Sequence, residues 1–428
     1  MTGTASTRDL PRLLYVSDIA VEPTTGGEAL LHRLFAEYPA DRLCFALGNF
    51  ATGVGGFEKP PSGDLPGRPR QVGFRVGWER PLYTRFSSEY AALLALTAAG
   101  RRRRVMAVAR EFKPEAILSV MQSFSWITAA SLAEQLRIPL HLILHDEWTL
   151  QSPMPRFLRA WSERLLGNIY RQAVSRLCVS PYAAEVYERR FAAAGSVLYP
   201  SRGPDSIVHD APAERLRDPD AQMVVGYAGS LHVSGYAEGI VAIAAALEPV
   251  GGRVLIHCTM RDDSRRRMGL DRPNIEVRPF VAPNLLGAIL REECSVLFCP
   301  MSFDPAIELA SCTSFPSKLT DYTAVGLPLL IWGPPYASVV RWATDNAPIA
   351  EVVDTQDPQV LAQAVHKLRN PEYRYKMAEA ALAAGRRFFS YEAARDLFFD
   401  AVRKRSLSRG EPCLTPRSAA SVTTFVER

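Results

Sequence analysis

The chain has 428 residues and 47% of them are hydrophobic, which is enough for two or three domains with sizeable cores. The net charge is +5, with the basic excess in residues 1–205, and no apolar run approaches the length of a membrane span. The seven cysteines are odd in number and no pair has C-x-x-C spacing, which argues against a disulfide framework or a zinc site. The first residues lack the apolar stretch of a signal peptide, so we expect a cytoplasmic protein.

The first half of the chain alternates between strand and helix patterns. An apolar strand at 13–17 is followed by a turn containing Gly26 and Gly27 and by a helix at 29–35. This order of elements is typical of a parallel α/β domain. The Gly-, Pro- and Arg-rich segment 51–80 predicts a long loop. Further strands are predicted at 43–47, 116–120, 140–144, 176–179 and 197–199, and helices at roughly 86–112, 126–136, 156–174 and 181–192.

The same alternation restarts after a polar linker at 200–205. It continues to a last amphipathic helix at about 391–405, and the Ser-, Thr- and Arg-rich residues 406–428 are expected to be disordered. Two Rossmann-like halves with a cleft between them follow from this repetition. The predicted strands of the second half are 223–227, 254–258, 275–278, 295–299, 329–331 and 349–353, and its helices are 238–247, 358–369 and 371–388.

The stretch 314–328 carries the strongest chemical signal. Pro316 suits the first turn of a helix, and Ser314 or Ser317 is a suitable cap for it. Lys318 lies in that first turn, where a cation is disfavoured unless an anion joins it, and Asp321 follows on the same face. The pattern therefore predicts a phosphate site with a carboxylate for a ribose. The alternative is an ordinary packed helix whose Lys and Asp are solvated.

The string Pro-Ser-Lys-Leu-x-Asp-Tyr-x-Ala-x-Gly-x-Pro in this stretch resembles the donor-site helix of GT-B glycosyltransferases, and in particular the retaining family 4. The resemblance is strong over 222–335 and weak over 1–205. It implies the fold class α/β; GT-B, with two Rossmann-like doubly wound domains facing across a cleft. Residues 1–205 would then be the acceptor domain and 206–390 the donor domain, and the helix 391–405 would cross back to the first.

The resemblance also assigns the donor site. Pro316, Ser317, Lys318 and Asp321 would hold the diphosphate and ribose of a nucleotide sugar. The turn with Gly229 and Ser230, after the first strand of the second half, would bring backbone N–H groups to the phosphates.

The chain departs from the family pattern at two places in this donor site. Many members have an Arg just after the glycine of this turn and a Lys five residues later, where this chain has Ser230 and Gly235. A second acid is also missing, because Thr313 stands eight residues before Asp321. Lys318 would then be the main partner of the phosphates.

His145, Asp146, Glu147 and Trp148 follow the strand 140–144, at the edge where open α/β sheets bind ligands. This arrangement resembles the acceptor-side motif of the family. His145 would contact the transferred sugar, Asp146 would orient its ring, and Trp148 would stack on a sugar face. The alternative is a capped strand end with solvated acids. A metal site is less favoured because no partner His has ligand spacing.

Two further features each allow two interpretations. Gly26 and Gly27 either line the cleft, as the resemblance implies, or allow a close contact between helix and sheet. The run 101–104 is four arginines that ring a helix, which indicates a solvated turn. Peripheral contact with anionic membrane headgroups is the alternative, and nucleic-acid binding is not supported by any recognised module.

Together these patterns predict a metal- and cofactor-independent retaining glycosyltransferase. It would transfer a sugar from a nucleotide diphosphate donor to a glycan or lipid-linked acceptor, in bacterial surface polysaccharide or glycoconjugate synthesis. The catalytic residues would be His145, Asp146 and Lys318. The alternatives are a non-catalytic GT-B protein that binds a nucleotide or glycan, and a nucleotide-sugar epimerase of the same fold.

Overall fold

The computed structural model describes residues 9–23, 26–52, 65–152, 154–231, 235–281 and 283–405. They form thirteen strands in two sheets whose pairings are all parallel, and the predicted α/β class is confirmed. The strands are β1 Leu13–Ser17, β2 Leu43–Gly48, β3 Arg70–Phe74, β4 Ala116–Val120, β5 Leu140–Leu144, β6 Ser175–Cys178, β7 Ser196–Val197, β8 Val224–Ala228, β9 Arg253–His257, β10 Ile275–Arg278, β11 Val296–Pro300, β12 Leu329–Trp332 and β13 Glu351–Val353.

Helices connect the strands of both sheets. Short 3-10 turns accompany them, including one at Ala99–Arg101 between the second and third helix. The helices are α1 Gly26–Phe35, α2 Ser87–Ala98, α3 Arg102–Phe112, α4 Ser125–Leu136, α5 Trp148–Gln151, α6 Arg159–Gln172, α7 Pro181–Phe191, α8 Tyr236–Leu247, α9 Asp262–Arg267, α10 Pro283–Glu293, α11 Glu308–Thr313, α12 Lys318–Tyr322, α13 Ser338–Asp345, α14 Pro358–Leu368, α15 Pro371–Phe388 and α16 Tyr391–Arg403.

The order of the strands fixes where ligands can bind. The first sheet runs β3-β2-β1-β4-β5-β6-β7 and the second runs β10-β9-β8-β11-β12-β13. In each sheet the chain adds strands first on one side of the first strand and then on the other. The connections therefore leave in opposite directions between β1 and β4, and between β8 and β11. A crevice opens at such a point, outside the carboxyl ends of the strands.

Burial explains why these strands were readable from the sequence. Every residue of β1, β2, β4, β5, β8, β11 and β12 is buried, because helices cover both faces of each sheet. Such strands are continuous apolar runs. The strand β3 was missed inside the predicted loop 51–80, because it is a half-exposed edge strand of sequence Arg-Gln-Val-Gly-Phe. Part of that predicted loop, 53–64, and the predicted tail 406–428 lie outside the described residues.

The last described helix, α16, packs on the first sheet's side of the molecule. Its Phe398 and Phe399 join the core cluster that contains β1 and β2. The ring of Phe398 lies edge-on to Phe35 of α1 at 5.7 Å, and Phe399 lies edge-on to Tyr38 at 5.7 Å. The chain thus returns to its first half after completing the second sheet.

The predicted helix over 314–328 is much shorter in the structure. Helix α12 begins at Lys318 and ends at Tyr322, and Ser317 precedes it without a side-chain cap. Pro316 therefore lies before the helix and does not occupy its first turn. Gly326 takes a left-handed backbone (φ +76°) four residues after the end of this helix, in the turn into β12. A helix of five residues has a small dipole, so a phosphate site here would depend mainly on side-chain charge.

Candidate active site

Helix α12 is anchored at the carboxyl edge of the second sheet by its apolar side. Leu319 and Tyr322 are buried, and the Tyr322 hydroxyl accepts a hydrogen bond from the Ala228 N–H at 2.7 Å. Ala228 is the last residue of β8, so this bond ties the helix to the strand beside the crevice. Lys318, at the start of the helix, is thereby placed next to the turn that begins at Gly229.

Lys318 is partly buried, and in the described part of the chain no carboxylate lies within salt-bridge distance of its ammonium group. Its Nζ lies 3.9 Å from the centroid of the Tyr227 ring and 5.5 Å from that of Tyr236. Burial lowers the pKa of Lys318 to about 8, against the opposing influence of two nearby thiols, Cys299 and Cys258. Aromatic faces stabilise a cation less than an anion would. The site is therefore built to receive negative charge.

Gly229 lies beside Lys318, as the sequence predicted. A Cβ at this position would be 3.4 Å from the Lys318 Nζ, and the backbone of Gly229 (φ +131°) is one that other residues rarely adopt. However, the Gly229 N–H is already used, because it donates to the His257 carbonyl at 3.2 Å. The Ser230 carbonyl accepts from the Tyr227 hydroxyl at 2.6 Å. The role of glycine here is thus to leave space for the lysine rather than to donate to a ligand.

Asp321 faces two arginines that sequence reasoning missed. Burial raises the pKa of Asp321, and the positive charges of Arg33 and Arg202 act against this rise. Arg202 is buried, and it donates from Nε to the Thr320 carbonyl at 3.0 Å and from Nη2 to the Thr323 hydroxyl at 2.9 Å. Arg33 belongs to α1 and donates to the Ser201 carbonyl. Both arginines come from residues before 206, so no local pattern around Asp321 could reveal them.

His145 follows β5 and packs against the glycine turn before α1. A Cβ on Gly27 would lie only 2.6 Å from the His145 Nδ1, so the ring occupies the space that this glycine leaves. Both ring nitrogens are buried and have no hydrogen-bond partner among the described residues. Burial lowers the pKa of His145, and the adjacent Asp146 acts against this effect. The imidazole is therefore neutral near pH 7 and has a free N–H to donate. The sequence analysis gave two interpretations of Gly26 and Gly27, and neither predicted this contact between Gly27 and His145.

Asp146 links the two halves of the molecule. Its Oδ1 accepts a hydrogen bond from the Ser314 hydroxyl at 2.8 Å, and the Ser314 carbonyl accepts one from Ser338. Ser314 lies four residues before the start of α12 and does not cap it, in contrast to the prediction. The residues expected to form the acceptor side and the donor side thus meet directly through this bond.

Glu147 and Trp148 are structural in this conformation. Glu147 caps α5 and accepts hydrogen bonds from Tyr187 at 3.0 Å and from Arg190 at 2.7 Å. Trp148 is fully buried, donates from Nε1 to the Ser123 carbonyl at 2.5 Å and lies edge-on to Trp126 at 4.9 Å. The expectation that Trp148 stacks on a sugar does not fit this burial. Aromatic character alone could not separate a core tryptophan from a binding one.

Asp18 is a buried carboxylate at the same sheet edge that the sequence analysis did not single out. It follows β1 and accepts from the N–H groups of Phe124 and Ser125, at 2.9 and 2.8 Å, and from the Ser125 hydroxyl at 2.7 Å. These bonds satisfy free N–H groups at the start of α4. A Cβ on Gly48 would lie 1.9 Å from the Asp18 Oδ1, so the glycine at the end of β2 is required for this arrangement.

The described residues contain neither a metal-binding cluster nor a membrane-spanning helix. No group of three or more His, Cys, Asp or Glu side chains is arranged to hold a metal ion. Within the same residues, none of the helices has both the length and the apolar composition needed to cross a membrane.

Comparison with solved structures places the fold. HepE from Anabaena, in complex with UDP-glucose, is 16% identical, with a TM-score of 0.61, and the match covers 92% of this chain and 99% of HepE. Sucrose-phosphate synthase from Thermosynechococcus elongatus is 15% identical (TM-score 0.60, 91% and 98% covered). An α,α-trehalose 6-phosphate synthase from Burkholderia multivorans is also 15% identical (TM-score 0.60, 92% and 96% covered).

These similarities span almost the whole of each chain and show the GT-B fold of glycosyltransferases, which confirms the predicted fold class. No protein-family model and no curated protein matches the sequence. The assignment to family 4 stays a prediction.

Proposed function

We propose that this chain is a glycosyltransferase that binds a nucleotide diphosphate sugar at the carboxyl edge of its second sheet. The observation that supports this most is the partly buried ammonium group of Lys318, beside Gly229 and without an acidic partner among the described residues. A diphosphate would supply the missing anion through charge-assisted hydrogen bonds. Because HepE was solved with UDP-glucose, UDP-glucose is the first donor to test.

Lys318 would act on the leaving group. Negative charge grows on the diphosphate as the bond to the sugar breaks, and a fixed cation at that position stabilises the transition state more than the bound donor. In this proposal a protein side chain supplies the charge, and no metal ion or cofactor is needed. Turnover is therefore expected to persist in the presence of a chelator.

Asp321 would accept hydrogen bonds from the ribose. A buried carboxylate can serve in this way only while it is ionised, and Arg33 and Arg202 provide the positive charge that favours the ionised form. Asp321 lies three residues after Lys318 in α12, so the diphosphate would bind at the lysine and the nucleoside at the aspartate. Pro316 and Ser317 would border the donor at the start of the helix.

His145 would contact the transferred sugar from the first half of the chain. Its neutral ring has a buried N–H without a partner among the described residues, which a sugar hydroxyl can satisfy. Asp146 would hold the two sides of the cleft in register through Ser314. A glycan or lipid-linked acceptor would enter from the first half, for surface polysaccharide or glycoconjugate synthesis. Retention of the anomeric configuration is proposed from the resemblance to family 4.

Product analysis with UDP-glucose tests the proposal. Released UDP and a glycosylated acceptor, or UDP and free glucose without an acceptor, are the expected products. UDP-glucose that binds and is recovered unchanged would indicate a non-catalytic binding protein, and a changed sugar still attached to UDP would indicate an epimerase. The anomeric configuration of the product, read by NMR, tests retention.

Binding measurements test the donor site separately from turnover. Lys318→Ala should weaken UDP binding by roughly 10- to 100-fold, the loss of a charge-assisted hydrogen bond, and should leave uridine binding unchanged. Lys376→Ala is the matched control, since Lys376 is an exposed lysine of α15. Equal UDP affinity of Lys318→Ala and the unaltered chain would contradict the assignment.

A further inference from the structure

An exposed apolar surface lies on the first half of the chain, outside the residues assigned above. We call it the apolar ridge and define it by Trp78, Tyr83, Phe86, Leu93 and Leu96. Each of these side chains is more than half exposed, from 53% for Leu93 to 83% for Tyr83. Single exposed apolar residues are common on proteins, but five of this size within nineteen positions of sequence mark an interaction surface.

Helix α2 supports the ridge and is apolar on both sides. Its inner face, with Leu94, Ala91 and Ala95, packs in the core of the first half, while Leu93 and Leu96 point outward. A surface helix of a soluble domain normally carries polar residues on its outer face. An open groove of about 510 Å³ runs along the same helix, lined by Phe86, Tyr90 and Leu93 among others. The ridge therefore offers both protruding rings and a recess.

Arginines surround the apolar ridge. The exposed Arg75, Arg80, Arg85, Arg103 and Arg104 form no salt bridge in the described part of the chain. The guanidinium of Arg75 lies over the Trp78 ring at 5.2 Å and that of Arg85 over the Phe86 ring at 4.7 Å. Between positions 75 and 104 the sequence has seven arginines, no lysine and only two acids, Glu79 and Glu89.

The structure also corrects the interpretation of the arginine run 101–104. Arg101 is buried and donates from Nη2 to the Leu94 carbonyl at 2.8 Å and to the Thr97 hydroxyl at 3.0 Å. Arg102 donates to Gln135 of α4 at 2.9 Å. These two residues hold the junction of α2 and α3 together. Arg104 donates from Nη1 to the Arg75 carbonyl, so within the run only Arg103 has no hydrogen bond or salt bridge among the described residues.

We propose that the apolar ridge and its arginines dock the protein on the surface of an anionic lipid bilayer. Tryptophan, tyrosine and phenylalanine favour the boundary between headgroups and acyl chains, while arginine favours lipid phosphates. A glycan offers neither an apolar phase nor a dense negative charge. A second copy of this chain would bring two arginine-rich surfaces together. A bilayer with anionic lipids satisfies the rings and the charges at once, and it binds independently of the donor site.

Vesicle flotation tests this docking with the purified chain. Binding to vesicles of phosphatidylcholine and phosphatidylglycerol is expected at low salt, with loss of binding as salt rises, and much weaker binding to phosphatidylcholine alone. Arg80→Gln with Arg85→Gln should weaken binding by about 25-fold, since each basic residue near such a surface contributes about fivefold. Phe86→Ser with Leu93→Ser should reduce binding at high and low salt alike.

Matched control variants separate the ridge from general charge and apolarity. Arg261→Gln with Arg267→Gln removes two exposed arginines of the second half, and Phe157→Ser with Leu285→Ser removes two exposed apolar side chains elsewhere. Neither control should change vesicle binding. The proposal is overturned if the unaltered chain does not float with anionic vesicles. It is also overturned if neutral vesicles bind it equally well, or if Phe86→Ser with Leu93→Ser abolishes a lipid-free dimer instead.

Discussion

Replacement of Lys318 by Met distinguishes two effects of the ammonium group: it destabilises the unliganded fold, and it would strengthen the binding of a diphosphate. Methionine keeps most of the apolar stem of lysine and removes the ammonium group. Burial lowers the pKa of Lys318 from 10.5 to about 8. At 1.36 kcal/mol per pKa unit, the folded chain without a ligand carries a penalty of roughly 3 kcal/mol for holding the cation. The tyrosine rings at 3.9 and 5.5 Å offset about 1 kcal/mol of it.

Lys318→Met should therefore stabilise the unliganded fold by about 1–3 kcal/mol while it weakens UDP binding. The pH dependence has a definite sign. Because the folded pKa lies below the unfolded one, the unfolded chain binds the extra proton between about pH 8 and pH 10.5, and stability rises with pH through that window. Lys318→Met has no lysine at this position, so its free energy of unfolding should lack this increase between about pH 8 and pH 10.5. Chemical denaturation of both chains at several pH values measures it.

UDP binding should show the opposite trend. A diphosphate favours the protonated lysine, so affinity should be flat below about pH 8 and fall by up to about tenfold per pH unit above it. Uridine has no phosphate and should not follow this trend. Calorimetry between about pH 6.5 and 9 tests both ligands, with Lys376→Met as the matched control. If Lys318→Met binds UDP as tightly as the unaltered chain, with the same pH profile, the ammonium group does not contact the phosphates.

Four further substitutions test other parts of the structure. His145→Ala should lower kcat by about 100-fold or more with UDP affinity unchanged, as for other positioned donors, and normal turnover would remove His145 from the active site. Asp146→Asn should cost less turnover than His145→Ala, because the amide oxygen can still accept from Ser314. Asp321→Ala should weaken UDP and uridine equally, and a loss confined to UDP would place Asp321 at the phosphates. Gly385→Ala would put a Cβ 1.9 Å from the Arg202 Nη2 and should lower the free energy of unfolding by about 1–3 kcal/mol. Gly287→Ala is the control, because no neighbour lies closer than 4.0 Å, and it should leave the free energy of unfolding nearly unchanged in the same assay.

The buried parallel strands were predictable because each one is an apolar run of nearly the right length. The edge strand β3 was not, because its pairing with β2 uses backbone groups and leaves its side chains half exposed. The predicted helix 86–112 divides at Gly100 into α2 and α3. Helix α12 is also shorter than predicted, although Leu319 and Tyr322 lie in the core.

Sequence patterns located the candidate site less completely than the fold. Lys318 and Gly229 were predicted to lie near each other, and a lysine in a chain with only six lysines was a useful signal. Arg202, Arg33 and the contact between Gly27 and His145 depend on residues distant in sequence. Trp148 was assigned to the acceptor side, stacking on a sugar, although it lies in the core. A sequence pattern gives residue type and spacing, but whether a side chain is buried depends on helices and strands that are distant in sequence and pack over it.

The contacts between the two halves explain how α12 is positioned. Residues before α12 are tied to the first half by the bond from Ser314 to Asp146, and Asp321 within the helix faces Arg33 of α1. A second group of contacts joins α7 to α13, where Arg341 binds Glu185 at 2.8 Å and Tyr182 donates to Asp345 at 2.7 Å. With only five residues, α12 has little helical stability of its own. Its position, and with it the position of Lys318, is therefore set by both halves together, so a nucleotide sugar bound as proposed would be held in register with His145.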